Sequence, residues 1–396
     1  MSLDMAVAVL ALGVSFFTLH RSYFGMKRIR PLRSGVPLPE RLPLVSVIIA
    51  AKEEQETIEE TVQHLMRQTY PRLEIIAVND RSNDATGARL NALKAWSEGK
   101  GRSAIPLKVI HITQLPEGWI GKNHALFQGY LQSKGSYILF TDADVRFSPD
   151  AIRDSVAYAV RERADHVALT PKLVTRSFWL RAFVHYFLFT ICLYVSPWTG
   201  NDDGRRTGGM GIGAFNLLRR DAYEEIGTHR ALAMRPDDDL RLGKLVKRTG
   251  LRQRIAIGTE HIRVEWYTSL KEAFLGLEKN IYSGFGYRLW LASLAAIAQS
   301  AIFVVPFLWL LWARDAVLML LLLSAACMVG TYLIYVRLMN REPGWDALVF
   351  PVSAMMLIAV LVRSVWLTHR RSGMYWRGTF YSLDDLRRLF GDKEGN

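Results

Sequence analysis

The chain has 396 residues, 50 Lys+Arg against 37 Asp+Glu, a formal net charge of +13 and two cysteines. Half of its residues are hydrophobic and 22% are charged, which excludes a disordered acidic chain. Cys192 and Cys327 cannot build a disulfide framework, and no Cys/His pair has the spacing of a structural zinc module. The length suits two or three structural units at roughly 100–200 residues each.

The first element is the apolar run Met5–Leu19, with Asp4 before it and His20, Arg21, Lys27, Arg28, Arg30 and Arg33 after it. A cleaved secretory signal has the reverse charge order. The positive-inside rule makes residues 1–24 a signal anchor that leaves the following segment cytoplasmic; the run is short for a span, so an interfacial anchor is the alternative.

Residues 42–263 alternate short β-branched runs with helical spacing. Val45–Ala50, Leu73–Val78, Leu107–Ile112 and Tyr137–Phe140 read as strands, and Ile58, Val62, Leu65 and Met66 as a helix capped by Thr57. Continuous apolar strands separated by helices indicate a parallel sheet covered on both faces, hence an α/β domain. Three strands end in polar groups: Lys52-Glu53-Glu54, Asn79-Asp80 and Asp142-Ala143-Asp144. Ligands of open α/β sheets sit beyond these carboxyl ends. Neither G-x-G-x-x-G nor G-x-x-x-x-G-K-[ST] follows the first strand, so a nucleotide here is held by side chains and a metal. Asp144 suits a hard divalent cation, since Mg²⁺ is commonly bound by one or two carboxylates plus substrate phosphates.

Residues 178–198 are apolar but interrupted by Arg181 and His185. As a span, this stretch would put the acidic motifs on either side of it across the bilayer from one another. It reads as a helix lying in the interface, with a core helix of the soluble domain as the alternative. Asp237-Asp238-Asp239 then opens an amphipathic helix (Leu240, Leu242, Leu245, Val246) that ends near Gly250. Helix capping accounts for some of this charge, but three carboxylates exceed what a cap needs, and one is a candidate general base.

An interfacial linker, 264–288, leads to three long apolar runs within 289–368: Leu289–Ala313, Asp315–Met339 and Trp345–Thr368. Each is long enough for a transmembrane helix. Three spans would put Arg370, Arg371 and Arg377 of the basic tail, 369–396, outside, against the charge rule; either one run is re-entrant or the tail violates the rule. The basic residues flank apolar runs, as contacts with anionic lipid would, and are not interleaved with aromatics as base stacking needs, so no nucleic-acid partner is expected.

Assembled, these motifs resemble family-2 inverting glycosyltransferases of the GT-A fold over roughly residues 42–290. The likeness runs through Val45–Glu54, Val78-Asn79-Asp80-Arg81-Ser82, Gly121-Lys122-Asn123-His124-Ala125-Leu126, Asp142-Ala143-Asp144, Gly213-Ala214-Phe215 and Asp238-Asp239-Leu240. Val264-Glu265-Trp266-Tyr267, Gly276-Leu277-Glu278-Lys279-Asn280 and the tail Trp376-Arg377-Gly378-Thr379-Phe380-Tyr381 are similar to bacterial membrane enzymes that glycosylate carotenoids, hopanoids and other lipids. The resemblance implies a GT-A Rossmann-like nucleotide-sugar domain with an N-terminal anchor and C-terminal transmembrane helices in the inner membrane.

By that likeness Ala50, Lys52, Glu53 and Asp80 would line the donor's base and ribose pocket, Lys122 would face the diphosphate, and Asp142 the ribose and metal region. Asp144, with Asp142, would bind Mg²⁺ or Mn²⁺. Asp239 would be the base, with Asp238 beside it. Gly213, Ala214, Trp266, Glu278 and Lys279 would lie on the acceptor side. The implied reaction moves one sugar from a nucleotide-diphosphate sugar (UDP-glucose or UDP-N-acetylglucosamine) to a hydroxyl or carboxyl of a membrane lipid. Ala50, Glu53, Asn79 and Asp238 depart from the family's frequent residues, which loosens the donor assignment. Leu277-Glu278-Lys279-Asn280 stands where polymer-making enzymes carry Gln-x-x-Arg-Trp. A processive synthase or soluble-acceptor transferase is the competing activity, and an inactive membrane scaffold the competing class.

Overall fold

The computed structural model describes residues 2–101, 105–376, 379–384 and 386–387. The chain opens with helix α1 (Leu3–Met26) and then alternates β1 (Val45–Ala51), α2 (Ile58–Met66), β2 (Leu73–Asp80), α3 (Thr86–Gly99), β3 (Leu107–Ile112), α4 (Gly121–Leu131) and β4 (Tyr137–Thr141). There follow β5 (Val145–Phe147), α5 (Ala151–Arg161), β6 (His166–Thr170), β7 (Lys172–Leu173) and α6 (Phe178–Val195). β8 (Asn216–Arg219), α7 (Arg220–Glu225), α8 (Asp238–Thr249), β9 (Gln253–Ile257) and β10 (Ile262–Val264) complete the α/β part. The rest is α9 (Leu270–Asn280), α10 (Leu289–Phe303), α11 (Val305–Trp309), α12 (Asp315–Met339), α13 (Phe350–Arg370) and a hairpin of β11 (Gly373–Trp376) and β12 (Thr379–Ser382).

These elements form two units. The α/β unit comprises 28–174 and 195–265; the helical unit comprises 1–27, 175–194 and 266–396. In the first, a seven-stranded sheet has the order β3-β2-β1-β4-β8-β6-β9. The four expected strands are parallel and aligned, with Ala51 opposite Asn79 and Ile49 opposite Thr141, so their polar carboxyl ends share one edge. The all-parallel expectation fails at β8, which is antiparallel to β4 and β6. Its four residues, Asn-Leu-Leu-Arg, are too few and too polar at the ends to show a pattern in the sequence. The Thr57 cap also fails: at φ −117°, ψ −33° it lacks the extended backbone of a cap, and its hydroxyl donates to Glu54 Oε2 at 2.9 Å.

In the helical unit α1 is longer than the apolar run that announced it, continuing through His20 and Arg21 to Met26. It packs in parallel with α12, Ser15 Oγ lying 2.7 Å from Ser324 Oγ and Tyr335 donating to Ser22 Oγ at 3.0 Å. The run from Leu289 is two helices: α10 ends at Phe303, and Pro306, which has no N–H, opens the next. α6 belongs to this unit and not to the core of the sheet. Its Phe183, Tyr186 and Phe189 are buried, and His185 receives a hydrogen bond from Asn340 Nδ2 (2.6 Å) and donates through Nδ1 to Asp346 Oδ2 (2.9 Å). Tyr332 donates to the same carboxylate. Among the described residues five helices are long and apolar enough to cross a membrane: α1, α6, α10 with α11, α12, and α13 with the turn before it.

Candidate active site

The site builds outward from the carboxyl edge of the sheet. The loops after β1 and β2 are tied together: Glu54 N–H donates to Thr86 Oγ1 (2.8 Å), Gln55 N–H to Asp84 Oδ2 (3.1 Å) and Glu53 N–H to Ser82 Oγ (3.1 Å). Glu53 is exposed, at φ +56°, and its carboxylate accepts from Asn83 N–H at 2.9 Å. These contacts build the loop. Asp80, 1% exposed, accepts two hydrogen bonds from the Arg81 guanidinium, at 2.8 and 3.1 Å. Ala50 is buried in the apolar core behind the edge, so only its backbone can face a ligand. Lys52 stands half-buried in the loop after β1.

After β4 the backbone alternates, burying Ala143 and leaving Asp142 and Asp144 partly open. Lys122, in the first turn of α4, places Nζ 2.7 Å from Asp142 Oδ1 and 3.8 Å from Asp238 Oδ1. The helix start is fixed from behind, since Asn123 Nδ2 donates to the carbonyls of Leu232 (2.6 Å) and Arg235 (2.9 Å). Burial alone would lower the Lys122 ammonium, but Asp142, Asp238 and Asp239 outweigh it and hold its pKa above the lysine norm.

The three aspartates at the start of α8 have three tasks. Asp237 is occupied by Arg235 (3.3 Å) and Arg241 (3.1 Å). Asp238 is buried toward Lys122; burial, then the neighbouring carboxylates against the pull of Lys122, push it up to about 7. Asp239 is partly open, and its carboxylate accepts from Gly213 N–H (2.9 Å) and Leu240 N–H (2.7 Å). Burial foremost, with Asp142 adding repulsion, raises its pKa, which strengthens it as a base. Lys122, Asp142, Gly213, His229, Asp238 and Asp239 line one narrow cleft.

The residues fit a divalent cation. Burial first, then the charges of Asp142 and Glu54, push the Asp144 carboxyl up to about 7, so negative charge at this spot exceeds its compensation. Among the described residues no three Asp, Glu, His or Cys side chains form a complete metal cage. Two carboxylates with room for phosphate oxygens is the donor set Mg²⁺ and Mn²⁺ commonly take.

Gly213 and Ala214 therefore hold the site: Gly213 N–H steadies Asp239, and Ala214 carbonyl accepts from Thr141 Oγ1 at 2.8 Å. Trp266 and Glu278 belong to the helical unit, where Trp266 lies against Tyr267 and Phe187 and Glu278 pairs with Arg363 at 2.5 Å. The Lys279 side chain, with Arg377 and Gly378 of the tail motif, lies outside the described residues. Sequence reasoning missed His229, whose Nδ1 accepts from Tyr223 OH (2.6 Å) beside the cleft, and the buried trio His166, Asn216 and Gln253. The one available signal was the glycine density of Thr207-Gly208-Gly209-Met210-Gly211-Ile212-Gly213.

Residues 46–227 match the family model described as glycosyl transferase family 2. A 4,4'-diaponeurosporenoate glycosyltransferase of Staphylococcus aureus (strain USA300) is 25% identical over 355 residues, covering 86% of this chain and 88% of that protein. Among solved structures, a mannosyltransferase from Pyrobaculum calidifontis in complex with GDP-Man and Mn²⁺ superposes with a TM-score of 0.54 at 17% identity, covering 92% of this chain and 99% of that one. With a parallel-edged sheet, an Asp-x-Asp at the end of β4 and that match, the chain carries a glycosyl transferase family 2 domain on a GT-A-like fold and is a glycosyltransferase.

Proposed function

We propose that the protein transfers one sugar, with inversion, from a nucleoside-diphosphate sugar to a membrane lipid, in the inner membrane with the α/β unit cytoplasmic. The observation that carries this is Asp239, a carboxylate held by two backbone N–H groups beside Lys122 and the Asp142/Asp144 pair. Asp239 takes the acceptor's O–H proton while that oxygen bonds the sugar C1 and the C1–O bond to the diphosphate breaks. Asp142 and Asp144 would hold Mg²⁺ or Mn²⁺, which neutralises charge on the departing diphosphate. Lys122 supplies a fixed positive charge beside Asp142. The relatives support the substrate classes: one is named for a carotenoid acid acceptor, and the other was solved with a sugar nucleotide and Mn²⁺.

Three features support the membrane placement. Strands before and after α6 pair in one sheet, as with His166 and Leu218, so the chain leaves for α6 and returns to the same α/β unit, which is in keeping with a helix that does not cross. The parallel packing of α1 and α12 puts Lys27 and Arg28 on the same side as Arg337 and Arg341, in keeping with the positive-inside rule. Tyr282, Tyr287 and Ala292 share an apolar cluster with Met374 and Leu386 of the tail. That cluster favours a basic tail on the side where α10 starts, with an even number of crossings between them.

The test uses purified protein in detergent with UDP-glucose, UDP-N-acetylglucosamine and GDP-mannose, with and without Mn²⁺, and a lipid extract as acceptor. Asp239→Asn is expected to lower turnover on a hydroxyl acceptor by about 10²–10⁴-fold with donor binding retained. Asp144→Ala is expected to abolish metal-dependent donor binding. Donor binding by neither wild type nor variants would overturn the reading. A carboxylate acceptor arrives deprotonated, so Asp239→Asn would spare it.

A further inference from the structure

The base is only as well placed as the loop that touches it, and the loop 208–213 has almost no side chains with which to hold itself. Its backbone is instead held amide by amide from outside. Gly209 N–H donates to Thr199 Oγ1 (3.1 Å), Met210 N–H to Gln253 Oε1 (3.1 Å) and Gly211 N–H to the Asp239 carbonyl (3.1 Å). Ile212 N–H donates to Asn216 Oδ1 (3.0 Å), and Gly213 N–H reaches the Asp239 carboxylate. Five consecutive donors thus have five acceptors, where buried backbone groups left unpaired would be costly. Gly208 and Gly209 take φ of +83° and +75°, conformations that leave the loop without intrinsic stiffness of its own.

Two of those acceptors are amide side chains that could present either end to the loop. His166, fully buried on β6, decides which. Its Nε2–H donates to Asn216 Oδ1 (3.1 Å), and its Nδ1 accepts from Gln253 Nε2 (2.8 Å). Gln253 Oε1 and Asn216 Oδ1 are thereby turned to the Met210 and Ile212 amides. The Asn216 amide returns a hydrogen bond to the Ile212 carbonyl at 2.8 Å, and Gln253 Nε2 one to the Gly243 carbonyl of α8 at 3.3 Å.

We infer that His166 is a positioning residue for catalysis, acting through Gln253, Asn216 and loop 208–213 to fix the Asp239 carboxylate. This rests on Asp239 being the base. A neutral imidazole with one donor and one acceptor is needed. Gln can reproduce both, and Phe can reproduce neither.

The experiment measures kcat and donor KM for wild type, His166→Phe, His166→Gln, Asp239→Asn and the double variant His166→Phe/Asp239→Asn, all in detergent with Mn²⁺ and a hydroxyl-bearing lipid as the acceptor. His166→Phe is expected to lower kcat about 10–100-fold, as a base misplaced by a fraction of an ångström would, with donor KM nearly unchanged. His166→Gln recovers most of the loss, and His166→Phe costs nothing further once Asp239 is Asn. Wild-type kcat in His166→Phe, no recovery in His166→Gln, or an undiminished loss in the Asp239→Asn background would each overturn the inference. Wild-type turnover of Asp239→Asn alone would mark the failure of the base assignment instead. If His166→Phe does not fold, Thr199→Val removes the hydroxyl that accepts Gly209 N–H and applies the same test from the other end of the loop.

Discussion

Lys122 is a cation among three carboxylates, and removing it shows what it does. Lys122→Met leaves Asp238, buried and already raised, with no counter-charge. Breaking such a pair is expected to cost about 1–3 kcal/mol, read as a lower melting temperature. The deficit should be larger at about pH 8.5 than at about pH 6, because protonating Asp238 removes the uncompensated charge. A pH-independent deficit would place the effect in packing alone. His166 and His229 give the opposite sign. Burial holds them at about 4 and about 3, His229 pressed further by Lys122, below the ordinary imidazole value near 6.5. The unfolded chain binds their protons first, so stability is full above about pH 6.5 and is lost as the pH falls below it. His166→Gln should flatten that slope by up to about 3 kcal/mol at about pH 4, in melting curves taken across the range.

At the scale of elements, α8 shows how a helix can carry chemistry. Asp238 and Asp239 occupy its first turn, where the helix dipole favours them, and Gly250 closes it at φ +86°. Gly243 brings α8 against the loop, since a methyl there would meet the Met210 and Gly211 backbone. Gly243→Ala is therefore expected to cost about 1–3 kcal/mol and to lower kcat as the loop shifts, checked by melting and turnover on the same sample. Retained turnover would show that the loop tolerates the push.

Much of this could be read from residue order. The β-branched runs gave β1 to β4, the polar strand ends gave the polar edge of the sheet, and Asp237 to Gly250 gave a helix with its stop. What escaped was set by long-range partners. β8 is short and antiparallel, and nothing local to His166 tells of Gln253, 87 positions away. Ala50 was a donor-site candidate by position and is a core residue by packing.

For the whole molecule, the expected topology makes one sharp claim about the tail. In a variant with Cys192 and Cys327 replaced by Ser, a cysteine at Arg371 should react with a membrane-impermeant maleimide only after cells are opened. One at Asp4 should react in intact cells. Labelling of both in intact cells would place the tail outside.

The helical unit is discontinuous in the chain, and that has a consequence for biogenesis. α6 leaves the ribosome long before Asn340 and Asp346, the partners that satisfy His185. Until they are synthesised, an apolar helix with an unsatisfied imidazole must wait without its partners, joined at both ends to a sheet that is itself incomplete until β9. A fragment ending near residue 265 would keep that helix and lose its partners for good. It should aggregate, while a fragment of 28–265 with 175–194 replaced by a short polar loop should remain soluble.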